Sequence, residues 1–281
     1  MKIIARRART IMSTVPAACR RLLRATLGGI VGAVMLATPG LAQDFKGEGW
    51  THSFKANCGM PVTSANDPHG RPRSIIWAMA LGTQQLAFRL NPGDMGGCRS
   101  DQGRFNGASY WERAEIRQID TLRRGLAYRI QFDAIFAEGY AGTDEHFFQV
   151  AGWAPECRSS PLIKLLFDKG RMEAKVLKSE QDPFNMNDVQ AKVTGVTVAG
   201  FGRSLRRLKG EAHSFVVDLD MRGPKNTISV NMDGQVLVRE QSVHVANCVS
   251  PYVKLGLFRP GGVNRSKSTL VVDNVGIFRL R

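Results

Sequence analysis

The segment SYWERAEIR, residues 109 to 117, places Arg113, Glu115 and Arg117 at every second position. Side chains on a strand alternate between its two faces. The spacing therefore predicts a strand that turns two guanidinium groups and a carboxylate to one side and Ala114 and Ile116 to the other. Two later segments divide in the same way. In FFQVA, Gln149 and Ala151 share a face; in YVKLGLF, Tyr252, Lys254, Gly256 and Phe258 oppose Val253, Leu255 and Leu257. Each has one side apolar enough for a core and another that offers Arg, Glu, Gln, Lys and aromatic groups. A concave sheet surface that holds an anionic sugar chain needs this chemistry. The plainer reading of Arg113, Glu115 and Arg117 is a cross-strand ion-pair ladder on a solvated face, each pair contributing roughly a few tenths of a kcal/mol.

The elements that must position these residues are strands. Runs such as QQLAFRLN, LAYRIQFDAIF, HFFQVAGW, PLIKLLFD, RMEAKVLKS, HSFVVDLDM, NTISVNMD, GQVLVREQS and STLVVDNVGIFRL are separated mostly by Gly, Pro, Asn or Asp, and helical periodicity is nearly absent. Asp233-Gly234 supplies the positive-φ pair of a two-residue hairpin turn. Eleven or so strands without a low-complexity linker predict one all-β domain over residues 43–281. Its architecture is expected to be a two-sheet antiparallel β-sandwich of jelly-roll type. The stretch from Asp182 to Lys209 is less regular, and its GRSLRRLKG is expected to form a basic surface loop.

Residues 1–42 are set apart by seven basic residues and no acidic one, the apolar stretch ATLGGIVGAVMLA and then PGLAQ. This is the pattern of an export signal cleaved near Ala42, which predicts a periplasmic or secreted protein with no lasting membrane insertion. The chain carries 39 Lys and Arg and 24 Asp and Glu side chains; without the signal's seven cations the formal charge is about +8. Excess positive charge favours polyanionic partners, and for an exported protein an acidic polysaccharide is the simplest. No nucleic-acid-binding module is recognisable. Cys58, Cys98, Cys157 and Cys248 remain after signal removal, and an oxidising compartment predicts two disulfides. Three connectivities are open, with Cys58–Cys98 and Cys157–Cys248 the favoured one. No cysteine or histidine spacing suits a metal, and no cofactor is called for.

ERAEIR, QVAGW and YVKLGLFRP, in that order, resemble the three signature strands of the jelly-roll polysaccharide lyases of heparin-lyase and alginate-lyase type. There the patterns run R-x-E-L-R, Q-[IV]-H and Y-x-K-x-G-x-Y. FRLNPGD and LVVDNVGIF also resemble that group, so the likeness extends over about residues 84–281. It implies a curved, concanavalin-like β-sandwich whose groove binds a uronate-containing polysaccharide and, in active members, cleaves it by β-elimination. A uronate C5 proton is too weakly acidic to leave while the neighbouring carboxylate keeps its charge, so donors must neutralise that group before a base acts.

The resemblance casts Arg113, Arg117 and Gln149 as carboxylate holders and neutralisers, Lys254 as their assistant and Glu115 as an orienting carboxylate. Tyr252, Phe258, Trp153 and the loop residue His69 are candidate substrate contacts. Two positions depart from the pattern: Ala151 stands where the family has its histidine, and Phe258 where it has its final tyrosine. Neither side chain can transfer a proton. Strand parity directs His146 away from Gln149, while His52, His69 and His244 lie in or near loops. The expectation is an acidic-polysaccharide binder with eliminative cleavage as the implied activity. The alternative is a non-catalytic glycan-binding or envelope protein that has lost its proton-transfer pair.

Overall fold

Phe215, Val217 and Leu219 turn inward while Val216, Asp218 and Asp220 lie nearer solvent, and this two-residue period repeated along the chain builds strands. The computed structural model describes residues 44–47, 49–59, 74–80, 83–98, 101, 110–154, 157–158, 161–177, 195–245, 250–262 and 266–281. Among them the chain forms β1 (Asp44–Phe45), β2 (Phe54–Ala56), β3 (Ser74–Ala80), β4 (Thr83–Leu90), β5 (Trp111–Gln118), β6 (Ala127–Phe136), β7 (Glu145–Ala154) and β8 (Cys157–Arg158). There follow β9 (Ile163–Asp168), β10 (Arg171–Leu177), β11 (Gly195–Ser204), the one-turn helix α1 (Leu205–Leu208), β12 (Ala212–Asp220), β13 (Thr227–Met232), β14 (Gln235–Ser242), β15 (Ser250–Pro260) and β16 (Ser268–Leu280).

Two antiparallel sheets result. The nine-stranded sheet runs β1-β2-β5-β15-β7-β9-β10-β11, with β8 paired to β7; the seven-stranded sheet runs β14-β13-β12-β6-β16-β4-β3. All-β sandwich architecture is therefore as the alternation predicts. The Asp233-Gly234 turn joins β13 to β14 with φ of 51° and 75°. Among the described residues there are more strands than the apolar runs suggest: β1, β2 and β8 are only two or three residues long and carry no readable period, and IIWAMA of β3 is apolar throughout and has no alternation to read. The expected irregular basic loop is replaced at its end by β11 and α1. Leu205 and Leu208 are buried in the core, which folds LRRL into a turn of helix and leaves Arg206 and Arg207 outward. Residues 178–194 lie outside the described residues, as do 1–42, where the export signal is expected. No described helix is long and apolar enough to cross a membrane.

The sheets meet through aromatic rings. Phe132 of β6 stacks on Phe148 of β7 at 5.1 Å, and Phe136 packs edge-on against Phe147 and Phe167 at 5.1 and 5.0 Å. Each buried ring contributes roughly 1.5–3 kcal/mol through the area it removes from water. Phe147 and Phe148 are adjacent yet both buried in this core, which plain alternation forbids. A register shift between His146 and Phe148 on the β9 side inserts an extra residue into β7, a β-bulge that lets both rings point inward.

Candidate functional site

The outer face of the nine-stranded sheet collects the polar side chains of β2, β5, β15, β7, β9 and β10. Phe54, Ile116, Val253, Leu255, Val150, Ile163, Leu165, Ala174 and Val176 fill the core, so the alternate residues must face outward. Strand register aligns one row across six strands. Lys55 lies opposite Arg117, Arg117 opposite Lys254, Lys254 opposite Gln149, Gln149 opposite Lys164, and Lys164 opposite Lys175. Adjacent strands lie about 4.8 Å apart, so the row is about 24 Å long. Five of its six members are cations.

Closeness between β5 and β15 depends on Gly256. Its φ is 126°, and a Cβ there would lie 2.3 Å from the Ala114 carbonyl oxygen and 2.8 Å from the Glu115 Cα. Only glycine fits such a backbone and such an approach.

Beside the row, further along the same face of β5, sits a buried ionic cluster. Arg113, 5% exposed, donates through Nε and Nη2 to Asp101 at 2.9 and 2.7 Å and through Nη1 to Glu115. Glu115, 2% exposed, also accepts from Asn57 Nδ2 at 3.0 Å and from Gln149 Nε2 at 2.7 Å, and Lys254 Nζ stands 3.8 Å away. Burial alone raises the pKa of Glu115, but Lys254, Arg113 and Asn57 outweigh it and hold the carboxyl below its usual range. Burial disfavours the Arg113 cation, and its two acidic partners more than restore it. For Lys254 burial dominates: its pKa falls to about 8 despite the pull of Glu115.

The Cys58–Cys98 disulfide is present, and it ties together the two segments that supply this cluster. Asn57 precedes Cys58, while the Cys98 backbone N–H donates to Asp101 Oδ2 at 3.0 Å. Closing a loop of 40 residues removes unfolded-chain entropy equivalent to about 4 kcal/mol. Cys157 lies on β8 with its side chain outside the described part, and Cys248 lies outside the described residues, so the second expected pair is not described.

Seven of the expected site residues, Arg113, Glu115, Arg117, Gln149, Tyr252, Lys254 and Phe258, come together on this face. Their environments differ. Arg117 makes no ion pair with the described residues, and its guanidinium carbon lies 5.7 Å from the Tyr252 ring centre. Phe258 is held between groups: it stacks on Trp111 at 4.6 Å and lies 4.0 Å beneath the Arg113 guanidinium. Trp153 stands on β7 opposite Ser250 and Arg158, with its side chain outside the described part. His69 lies outside the described residues.

His146 corrects the parity expectation. The β7 bulge returns it to the outer face, where it is the strand neighbour of Phe258 with ring centres 5.4 Å apart. Burial and then Lys164 lower its pKa to about 4, against the opposing pull of Asp144 at 3.7 Å. Its Nδ1 is buried without a hydrogen-bond partner. Ala151 is buried opposite Tyr252 and brings no titratable group.

Lys55, Lys164, Lys175, Asn57 and Asp101 join the site without having been singled out by motif. Lys164 and Lys175 had a signal, since each alternates with apolar residues in PLIKLLFD and RMEAKVLKS. Asn57 and Asp101 had none, because both sit in irregular segments. Among the described residues no group of acidic, histidine or cysteine side chains is arranged to hold a metal ion.

Solved structures share this architecture. Alginate lyase A1-II′ in a double-cysteine variant superposes with a TM-score of 0.51 at 14% identity, over 82% of this chain and 95% of that one. The family 7 alginate lyase A1-II′ with a tyrosine replaced by phenylalanine, in complex with a product, has a TM-score of 0.50 at 14% identity, covering 73% and 83%. A histidine-to-asparagine, tyrosine-to-phenylalanine variant of that enzyme in complex with a substrate has a TM-score of 0.50 at 14% identity, covering 83% and 96%. The fold is thus the jelly roll of polysaccharide lyase family 7 alginate lyases. No protein-family model and no curated protein matches the sequence.

Proposed function

We propose that this protein is exported and binds an acidic, uronate-containing polysaccharide across the outer face of the nine-stranded sheet. The transverse row carries the reading. A structural ion-pair ladder sets opposite charges side by side, because like charges directly opposite are destabilising. Here Lys55, Arg117 and Lys254 are successive neighbours, and so are Lys164 and Lys175. Glu115 and Glu173 answer Lys254 and Lys175, and a polymer carrying regularly repeated carboxylates supplies the countercharge that Lys55, Arg117 and Lys164 lack. The solved proteins of this fold named above are alginate lyases, one of them in complex with substrate, which supports an acidic glycan as the ligand.

Arg117, Lys55 and Lys164 are the cations proposed to meet carboxylates first. Lys254 and Gln149 sit at the row's centre, and Glu115, itself held by Arg113, braces them from the side. The basic N-terminal segment and the disulfide support a periplasmic or secreted location.

Cleavage is a second reading, and one observation favours it. With a pKa of about 8, Lys254 is partly neutral near neutral pH and stands beside Gln149, opposite it across the β15–β7 pair. In that reading Lys254 takes the C5 proton, the electron pair forms the C4–C5 double bond, and the C4–O glycosidic bond breaks. The leaving oxygen then takes a proton from solvent or a neighbouring acid. Ala151 and Phe258 argue for binding alone, since neither exchanges protons.

Incubation with alginate, glucuronan, heparin and bacterial exopolysaccharides separates the readings. Calorimetry reports binding, and ultraviolet absorbance reports the unsaturated product. Binding without new absorbance supports recognition alone, absorbance that disappears in Lys254→Met supports cleavage, and no binding to any acidic polymer overturns the proposal.

A further inference from the structure

Beyond the row, four exposed cations gather where β9 turns into β10 and β11 runs into α1: Lys169, Arg171, Arg206 and Arg207. None of them forms an ion pair with a described residue, and Arg171 stays unpaired although Asp168 is its strand neighbour. Lys169, Arg171, Arg206 and Lys209, with Glu138 and Leu205, line a depression of about 660 Å³. Lys209 Nζ donates to the Glu138 carbonyl oxygen at 2.6 Å, which turns one cation of the group into a tether.

The backbone beneath this rim is fixed. The Lys169-Gly170 turn has φ of 47° and 74°; the Gly170 N–H donates to the Gly142 carbonyl at 2.8 Å, and the Leu205 N–H donates to the Gly170 carbonyl at 2.8 Å. Buried Leu205 and Leu208 anchor α1 and force Arg206 and Arg207 outward. Preorganised cations without countercharges repel one another, and their repulsion is relieved when a polyanion arrives.

The rim continues the proposed groove. Arg171, Glu173 and Lys175 alternate with buried Met172, Ala174 and Val176, so Arg171 shares the outer face with Lys175, four residues or about 13 Å along β10. Glu173 lies between them and pairs with Lys175 at 3.6 Å, so the path of free positive charge resumes at Arg171.

We propose that the rim formed by Lys169, Arg171, Arg206 and Arg207 is a distal anion site that engages a second stretch of the same carboxylate-bearing polysaccharide after it leaves the row. This inference rests on the glycan-binding reading. It makes binding bivalent: a chain long enough to reach the rim binds more tightly than one that fills only the row, by about tenfold.

The test compares a short oligouronate that spans only the row with a long one that overruns it, by calorimetry at fixed salt. The proteins are the wild type, a quadruple variant K169A/R171A/R206A/R207A and a charge-keeping variant R171K/R206K/R207K. All the substituted side chains are exposed. The expected result is a long-to-short affinity ratio of about ten in the wild type and the charge-keeping variant. In the quadruple variant the ratio falls to near one, with short-oligomer affinity unchanged. A ratio that survives the quadruple variant, or an equal loss for both lengths, overturns the distal site and leaves the row's reading standing. Absence of binding by either oligomer to the wild type overturns the row's reading, and the distal site with it.

Discussion

Glu112 and Arg113 are adjacent, yet each belongs to a buried ionic cluster on the opposite side of β5. On the inner side Arg259, completely buried, donates through Nε to Glu112 at 2.5 Å and through Nη1 to Glu145 and Ser268 Oγ, each at 3.2 Å. Ser268 Oγ in turn donates to the second Glu145 oxygen at 2.9 Å. On the outer side Arg113 joins Asp101 and Glu115, and through Glu115 it touches Gln149 and Lys254. Both clusters need exact countercharges, because an ion cut off from water is costly unless paired. Only the outer one is wired to Lys254, which is half-buried and stands in the row beside the partly exposed Arg117. The inner cluster is a fastener between the ends of β5, β7, β15 and β16, and the outer cluster is a platform.

The sharpest way to break this distinction is Arg259→Met, which strands two buried carboxylates. It should cost about 3–5 kcal/mol in chemical denaturation. A near-neutral result would mean that the inner carboxylates bind protons at little cost and fasten nothing. Next comes the double variant Cys58→Ser, Cys98→Ser. It should lose about 2–4 kcal/mol of stability and, because Asn57 and Asp101 lose their shared anchor, also weaken polyuronate binding. Loss of stability with unchanged affinity would uncouple the platform from its disulfide.

His146 offers a pH test at the platform's edge. Its folded pKa of about 4 lies below the ordinary 6.5, so the unfolded chain takes up a proton first as pH falls. The neutral buried form therefore favours folding fully above pH 6.5, and that stability is lost as pH drops towards 4. Between pH 7 and pH 5 the loss should be about 2 kcal/mol, and His146→Gln should flatten that slope. An unchanged slope would place the acid sensitivity elsewhere.

On the open face, Lys254→Met should weaken polyuronate affinity by about tenfold, or about 1.4 kcal/mol, with reduced salt dependence. Wild-type affinity should also fall as pH rises through about 8, where Lys254 loses its charge, and Lys254→Arg should remove that step. The smallest effect is expected of Phe258→Tyr. The ring already lies between Trp111 and Arg113, so adding a hydroxyl should change stability by less than about 1 kcal/mol; any gain of eliminative activity would be read from ultraviolet absorbance.

The outward set of β5 and β15 was legible because alternation there is uninterrupted: Arg113 through Arg117 and Tyr252 through Phe258 read directly as one face. The sandwich was legible for the same reason. The chemistry within the face was less so. Periodicity tells which side Arg113 takes, but not that Asp101, from an irregular segment, has already claimed its guanidinium. The transverse row depends on register between strands far apart in the chain, and no local pattern encodes that Lys55 falls beside Arg117 or Lys164 beside Gln149. His146 escapes its sequence parity because a bulge, which leaves no mark in the local pattern, lies between it and Gln149.

That bulge makes the face sensitive to chain length in a way that side-chain chemistry is not. Phe147 works as a phase shifter: ironing the bulge out at unchanged chain length would rotate everything upstream in β7 by half a turn. His146 would then be driven into the interior and Glu145 away from Arg259, unlatching the inner fastener with no charged residue replaced. Deleting Phe147 itself would keep His146 outside and Glu145 inside, so shortening β7 at this point is expected to be better tolerated than shortening it anywhere along its alternating part.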